Sequence, residues 1–465
     1  MPVNSFEHYP MSWKPKKEDL KRPIYLSLAR QLEEDIAHGY LQPGTRLPPQ
    51  RELADFLDIN FTTVTRAYRE CELKGLIHAV TGSGTFVSHH SKVATISHAQ
   101  PDQERKPAIE LGFVASFEQT NAMLRESIRA VTKEDFLDQL LDYSDPSGIP
   151  HQRGALSDWL RNFNVDIPPE ELMIVSGTQN GLAIALSALF GPGDRIAVDH
   201  FTYPNFIELA KLYRLQLVPV EGDGSGMLPD ALETQCRLNP IQGIFLMPSC
   251  GNPTTVRIPE YRKKELGEVI RKNNLTLIED EVHAFIETAL YPDPPAPLYT
   301  FAGENSVFIC GTSKPICSGL RVACMRAGAS VRQRVQNALF NINVKTPSLN
   351  AEIITQTIRT GRDIEIMQKK LSLAEQANKI FTELFPWYRM RQPYSYYQWL
   401  PIRSQESGPE FEARCAEQGI RVFHSDRFLV GTPGEESFLR ISMASTADMS
   451  ELEEGLKILS GLLVT

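Results

Sequence analysis

The sequence predicts an α/β protein in two parts. Residues 20–88 form a small helical unit closed by a β-hairpin. Residues 109–465 form a large unit on a mostly parallel sheet with helices on both faces. Three observations predict this. Short apolar runs alternate with helical stretches through most of residues 110–450, and buried strands alternating with helices are the sequence form of a parallel sheet covered on both sides. Two short amphipathic helices flank a polar turn within residues 50–73, and a strand pair around glycines follows. Between the parts, residues 89–108 (HHSKVATISHAQPDQERKPA) are polar, hold two prolines and show no apolar periodicity, as in a tether between independently folded units.

Composition sets outer bounds. At 465 residues the chain has room for two or three domains. With 42% hydrophobic and 23% charged residues it reads as an ordinary soluble globular protein. A formal charge of -9 argues against a protein that coats nucleic acid indiscriminately, because nonspecific affinity comes mostly from phosphate neutralisation. Residues 1–88 carry 11 Lys/Arg against 11 Asp/Glu, so any DNA contact must come from where the basic residues sit. The start MPVNSFEHYP has no apolar core followed by a cleavage site. No apolar run approaches the ~20 residues that span a bilayer, so a cytoplasmic location without a membrane partner is expected. The seven cysteines include no CxxC pair, and Cys310, Cys317 and Cys324 recur at intervals that fit neither a zinc site nor a redox motif. The histidines of the tether stand on a polar stretch without cysteine, so no metal site is expected.

In the first unit, PIYLSLARQLEEDIAHGYL sets Ile24, Leu28, Leu32 and Ile36 at four-residue steps, an amphipathic helix that Pro43-Gly44 closes. QRELADFLDI offers Leu53, Ala54 and Leu57 on one face, and Asp58, Ile59 and Asn60 give a turn. FTTVTRAYRECELKG turns Val64, Ala67 and Cys71 inward and leaves Thr62, Thr63, Thr65, Arg66 and Arg69 outward. A second short helix with a Thr/Arg outer face suits the major groove of double-stranded DNA. Its hydroxyls can serve phosphates or bases, and arginine can grip guanine. LIHAVTGSGTFVS reads as two strands joined around Gly82, Ser83 and Gly84, a wing whose glycines let backbone amides approach the sugar-phosphate chain. A small protein-interaction domain whose charges merely solvate it would share part of this pattern. The match, however, runs for some 65 residues: Arg46 and LPPQREL, then TTVTRAY, KGLI and GSGTFV resemble the GntR-type winged helix throughout. That resemblance implies phosphate contacts from Arg46, Arg51 and the wing, and base contacts from the Thr62–Arg69 helix.

In the second unit the buried runs are LMIVSG, DRIAVDH, LQLVPV, IQGIFLMPS, LTLIEDE and SVFICGT, separated by helical segments such as LAIALSALF and PEYRKKELGEVIRKN. Ligands of such sheets bind beyond the carboxyl ends of the strands, and the polar residues of interest follow strand ends. SGTQNG sets Gly177 and Thr178 between a strand and a helix, with amides aimed at a phosphate; taken alone, plain turn chemistry explains it better. DHFTYPNF puts Tyr203 before Pro204, where a ring can lie flat on a heteroaromatic one. PSCGNPTT supplies Asn252, an amide locked by Pro253. LIEDEVH supplies Asp280, a carboxylate to pair with a protonated pyridine nitrogen. CGTSKPICSGLR supplies Lys314 for an imine and Arg321 to clamp a phosphate.

Each element has a dull explanation; the set in this order does not. It resembles the fold type I aminotransferase family over nearly all of residues 110–450. The resemblance implies a smaller C-terminal subdomain from about residue 350 and pyridoxal 5'-phosphate as cofactor. It implies that Lys314 carries the cofactor as a Schiff base and that Asp280 keeps the pyridine nitrogen protonated, making the ring an electron sink. Asn252 would hydrogen-bond the ring hydroxyl and Tyr203 would stack on the ring. Gly177, Thr178, Ser313 and Arg321 would hold the phosphate. Tyr143, in YSDPSGIPHQR, resembles the tyrosine that reaches the neighbouring subunit's phosphate, which implies a homodimer with shared sites. Arg440, in FLRISMA, stands where the family holds a substrate carboxylate through a bidentate pair.

Two positions depart from the family pattern. A tyrosine is usual two or three residues after the pyridine aspartate; Val282 and His283 stand there. The His283 imidazole can reach the cofactor hydroxyl, and its own pKa of about 6.5 would complicate the imine's titration. Gly311 replaces a serine three residues before the lysine, and Thr312 is expected to substitute.

Winged helix, tether and aminotransferase-like unit together resemble the MocR subgroup of GntR regulators. This implies a PLP-dependent transcription regulator that senses an amino acid or amine, or the cofactor itself, by transimination at Lys314. The other reading is a working PLP-dependent aminotransferase that retains a DNA-binding unit. A binding module without chemistry is argued against by Asp280, Lys314 and Arg321 together.

Overall fold

The computed structural model describes residues 11–37, 40–42, 44–80, 84–88, 108–403, 406–432, 434 and 436–464. Pro43, the wing residues Gly82 and Ser83, and the tether over 89–107 lie outside them. In the first unit Ile24–Ala37 (α1), Gln50–Leu57 (α2) and Phe61–Leu73 (α3) pack through the faces that their periodicity marks. Leu28, Leu32, Ile36, Leu53, Ala54, Leu57, Val64, Ala67 and Cys71 are all buried. The chain turns between α2 and α3 because Asp58 takes a left-handed backbone, φ 49°, which a short polar side chain tolerates. Asn60 then caps α3, its side chain accepting from the Thr62 amide at 2.9 Å. Ile77–Val80 (β1) and Gly84–Val87 (β2) form the antiparallel hairpin.

Packing on this core begins ahead of residue 20, with Met11 and Trp13. Trp13 is 5% exposed against this core and its indole donates to Asp35 at 2.8 Å. A lone indole in a polar stretch has no periodicity to announce it.

In the large unit, apart from a short antiparallel pair at 222–223 and 226–227, the strands before the C-terminal part are Ile109–Glu110 (β3), Leu172–Val175 (β4), Arg195–Asp199 (β5), Gln216–Val220 (β6), Ile241–Leu246 (β7), Thr276–Asp280 (β8), Ser306–Gly311 (β9) and Ala323–Ala327 (β10). β4 to β10 make one seven-stranded sheet in the order β4-β10-β9-β8-β7-β5-β6. Only β10 runs antiparallel to its neighbours in this sheet; its short run, broken by Arg326, was not among the strands expected. Successive residues serve opposite faces, as pleating requires. Leu172, Ile174, Ile244, Leu246 and Phe308 enter one core, while Met173, Val175, Phe245, Ile278 and Ile309 enter the other. Both faces are therefore covered.

The C-terminal part adds Tyr397–Ile402 (β11), Ile420–Arg421 (β12), Phe423–His424 (β13) and Ser437–Ser442 (β14). β14 lies between β11 and β13 in an antiparallel sheet. β12 pairs in parallel with β3, so the chain entering from the tether is fastened to this smaller sheet's neighbour. Among the described residues no helix is long and apolar enough to cross a membrane.

Candidate functional site

Thr178–Leu189 (α4) and Pro204–Leu212 (α5) begin just beyond the carboxyl ends of β4 and β5. Gly177 opens α4 at φ 83°, and a Cβ there would stand 2.4 Å from Nη2 of Arg321. Glycine is thus required both by backbone and by the arginine laid across the helix start. Arg321 donates to the Ser313 hydroxyl at 3.1 Å and itself holds φ 52°, uncommon for a non-glycine residue and typical of functional sites.

The Gly177 amide is spent on the Val175 carbonyl at 2.8 Å. The free donors of this helix start are therefore the Thr178 and Gln179 amides, which have no acceptor within the helix. The Thr178 hydroxyl is buried and unpartnered. A Cβ at Gly311 would lie 2.5 Å from it, so the missing serine leaves room for Thr178. Thr312 does not fill the gap. It is fully buried and its hydroxyl donates to the Val322 carbonyl at 2.9 Å. Gly177, Thr178, Ser313 and Arg321 thus form a cup able to take a phosphate.

Next to the cup, Asp280 ends β8 at 2% exposure. Burial, with Glu281 beside it, pushes its carboxyl up to about 7. Tyr203 donates to Gln179 at 3.3 Å. Burial pushes its phenol up to about 12, with Asp280, Arg440 and Arg321 all close enough to act on it. His283 is packed edge-on to Tyr396 and Tyr397, and its Nδ1 has no partner. Burial, then the charges of Lys314 and Arg440, push it down to about 3. It is therefore neutral at physiological pH.

Lys314 follows β9. Burial, then Arg440, Lys370 and Arg321, push its amine down to about 7. It donates to the carbonyls of Val114 at 2.6 Å and Ala115 at 3.0 Å. Arg440, on β14, is 4% exposed and donates to Asn252 Oδ1 at 2.9 Å and to the Gly112 carbonyl at 2.8 Å. Its Nε is unpartnered. The rings of Phe428 and Phe423 lie 4.7 and 5.5 Å from its guanidinium carbon. Burial pushes it down to about 10, and no carboxylate among the described residues pairs with it. Such a guanidinium can accept an anion.

Two sets of contacts had no signal in the sequence: the 112–115 strap on Lys314 and Arg440, and Lys370 beside Lys314. Tyr143 stands 89% exposed, whereas Thr178, Asp280, His283, Ser313 and Arg440 are buried.

On the DNA-reading unit, Arg69 and Arg51 are exposed, the latter 5.8 Å from the Phe61 ring. Arg66 lies over the Tyr25 ring at 4.1 Å. Arg46 bridges to Phe86 of the hairpin, and a Cβ at Gly84 would meet its Nε at 2.9 Å. Thr62 is tied to Asn60, Thr63 is half-buried, and Thr65 donates to Gln50 at 2.8 Å, joining α2 to α3.

Fold and site define a transcription regulator with an aminotransferase-like domain. Residues 115–459 match the family model for aminotransferase class I and II, and residues 24–87 match that for bacterial regulatory proteins of the gntR family. An uncharacterized HTH-type transcriptional regulator of Bacillus subtilis, YdeF, is 34% identical over 466 residues, 100% of this chain and 99% of the relative. The HTH-type pyridoxine biosynthesis transcriptional regulator PdxR of Corynebacterium glutamicum is 25% identical over 305 residues, 65% of each chain. The α-aminoadipate aminotransferase LysN of Thermus thermophilus, solved with N-(5'-phosphopyridoxyl)-L-leucine, shares the fold. It aligns at TM-score 0.69 and 20% identity, over 77% of this chain and 92% of that one. The chain belongs to the gntR family of bacterial regulators, in the MocR-type subgroup whose helix-turn-helix unit is fused to an aminotransferase class I and II domain.

Proposed function

We propose that this regulator holds pyridoxal 5'-phosphate and responds to an amino acid, an amine or the cofactor itself by a change in its affinity for operator DNA. One observation carries the reading: buried Asp280 and Arg440 and half-buried Lys314 converge, and among the described residues none of the three forms an ion pair. The residues fit the cofactor. Asp280 lacks a cationic partner, which a protonated pyridine nitrogen supplies. The cup of Thr178, Ser313 and Arg321 is open only because position 177 has no Cβ. Tyr203 and Asn252 border the space between, and the LysN structure carries a phosphopyridoxyl group in the same fold.

When bound, the cofactor supplies an aldehyde open to amines and a ring that withdraws electrons. This chain's residues do the rest. Lys314, its amine pushed down to about 7, is largely neutral above that pH and presents a nucleophile. Arg440 receives the effector's carboxylate. Neutral His283 can accept a hydrogen bond from the ring hydroxyl. Tyr143, exposed on its own chain, serves the cup of a second copy in a homodimer. The carbonyls of Gly112, Val114 and Ala115 hold Arg440 and Lys314 only four to seven residues past the tether. Groups that leave those carbonyls for a ligand therefore act on the segment that carries the DNA-reading unit.

Titration with pyridoxal 5'-phosphate, followed by borohydride reduction and peptide mapping, tests the reading. The adduct is expected on Lys314 and is expected to vanish in Lys314→Ala, with the phosphate still retained noncovalently. An adduct of equal yield in that variant overturns the assignment.

A further inference from the structure

A second buried lysine stands behind the first. Arg362–Leu384 (α6) places Lys370 wholly inside the protein, at 0% exposure. Among the described residues no carboxylate forms an ion pair with it. Its acceptor is the main-chain carbonyl of Lys314 at 3.1 Å, which also accepts from the Tyr396 hydroxyl at 3.3 Å. Two donors from separate elements thus converge on one carbonyl, at the root of the side chain that Proposed function makes reactive. Burying an ammonium without a counter-ion is expensive, and a methionine or leucine would fill the same space without that penalty.

We infer that Lys370 is a positioning residue for Lys314: its ammonium anchors the Lys314 carbonyl and keeps the Lys314 amine neutral and nucleophilic. The inference rests on the reading that Lys314 is the reactive amine. The groups acting on Lys314 are Arg440 from β14, Lys370 from α6, Arg321 from the turn before β10, and Glu118, which opposes them. Those acting on Lys370 are Cys317 and Glu118, both favouring its charge against burial, which pushes it down to about 8. Burial and its cationic neighbours push the Lys314 amine down to about 7. A positive neighbour disfavours a second ammonium, so a charge on Lys370 lowers the proton affinity of Lys314.

The test reads Lys314 without the cofactor. In the full chain, acetic anhydride labelling of Lys314 is followed against pH by mass spectrometry, in the parent, Lys370→Met, Lys370→Arg and Tyr396→Phe. Loss of the charge in Lys370→Met is expected to raise the midpoint by about one pH unit. Arginine, which keeps its charge throughout, is expected to hold the midpoint at or below that of the parent. Tyr396→Phe removes a hydrogen bond and no charge, so its midpoint is expected to stay. A folded Lys370→Met with the parent's midpoint overturns the inference, as does a raised midpoint in Lys370→Arg, so either variant decides if the other fails to fold. Failure of pyridoxal phosphate to couple to Lys314 would strike Proposed function instead, because acetylation needs no cofactor.

Discussion

Arg440→Met isolates the part of the site assigned to the effector. The guanidinium is buried and spends two donors on Asn252 and Gly112, with none on a carboxylate. Methionine keeps much of the volume against Phe423 and Phe428 while removing the cation. A carboxylate held by two charge-assisted bonds would lose both. At about 1.5–3 kcal/mol each, that is about 3–6 kcal/mol, or roughly a hundred- to ten-thousand-fold in Kd. The fold is expected to survive, because deleting an unneutralised buried charge offsets the two lost hydrogen bonds. The assay is the visible spectrum of the pyridoxal-phosphate-loaded protein, titrated with a panel of amino acids and, separately, with simple amines that lack a carboxylate. Amino acids are expected to lose their effect over the accessible range while amines act as before. DNA binding by the unliganded form is expected to persist. Amino acids that perturb the spectrum of the variant at the parent's concentrations would refute the reasoning, since the carboxylate would then be held elsewhere or not needed.

Three further outcomes follow from other parts of the molecule. Arg69→Ala and Arg66→Ala are expected to weaken operator binding, by about 1–3 kcal/mol and for particular sequences where the contact is to a base, with no change in the cofactor spectrum; full-strength selective binding by both would place the recognition surface elsewhere. Gly177→Ala puts a methyl group into the Arg321 guanidinium at a positive φ, so affinity for pyridoxal phosphate is expected to fall while that for pyridoxal, which has no phosphate, stays. An equal loss for both would remove the phosphate cup. Asp280 sits at about 7 in the fold against an ordinary value of about 3.9, so the native state keeps a proton that the unfolded chain releases, and stability is lost as pH rises from about 4 to about 7. In cofactor-free protein Asp280→Asn is therefore expected to resist urea better than the parent at pH 8, by up to about 4 kcal/mol, with the gap closing near pH 4. A gap independent of pH would show that the carboxyl is not held in this way.

Much of the fold was legible because burial leaves periodic marks. Leu28, Leu32 and Ile36 announce α1, and the apolar runs of β4 to β9 announce strands buried on both faces. The antiparallel β10 escaped because five residues with an arginine among them look like a loop. Trp13 escaped because one aromatic makes no pattern. In the candidate site, the order of short motifs pointed to Asp280, Lys314 and Arg321, and the structure brings these residues near one another. Contacts that depend on distant segments meeting were not. Lys370 lies in MQKKLSLA, where a lysine on a long helix ordinarily faces water. The strap at 112–115 acts through main-chain carbonyls, which carry no residue signature at all. Gly311 was read as a loss to be repaired by Thr312; it is space for Thr178, a neighbour 133 residues earlier in the chain.

An effector moves an equilibrium only through contacts that differ between two states, and filling a cavity equally well in both would regulate nothing. On the proposed function, the strap supplies such a difference. Without ligand, Gly112, Val114 and Ala115 accept three bonds from Arg440 and Lys314, while β3 just before them is fixed to β12. An amine committed to a carbonyl compound retains at most one hydrogen, so Lys314 cannot then donate to two carbonyls. A guanidinium turned to a carboxylate gives up Gly112. Each ligand thus frees part of a segment that begins where the tether ends. The coupling must also run in reverse, since linkage is reciprocal. DNA that favours one strap position changes the affinity for the effector by the same factor that the effector changes the affinity for DNA. On this reading an aminotransferase site becomes a sensor without needing turnover, because the groups that would perform the chemistry are the ones that hold the strap.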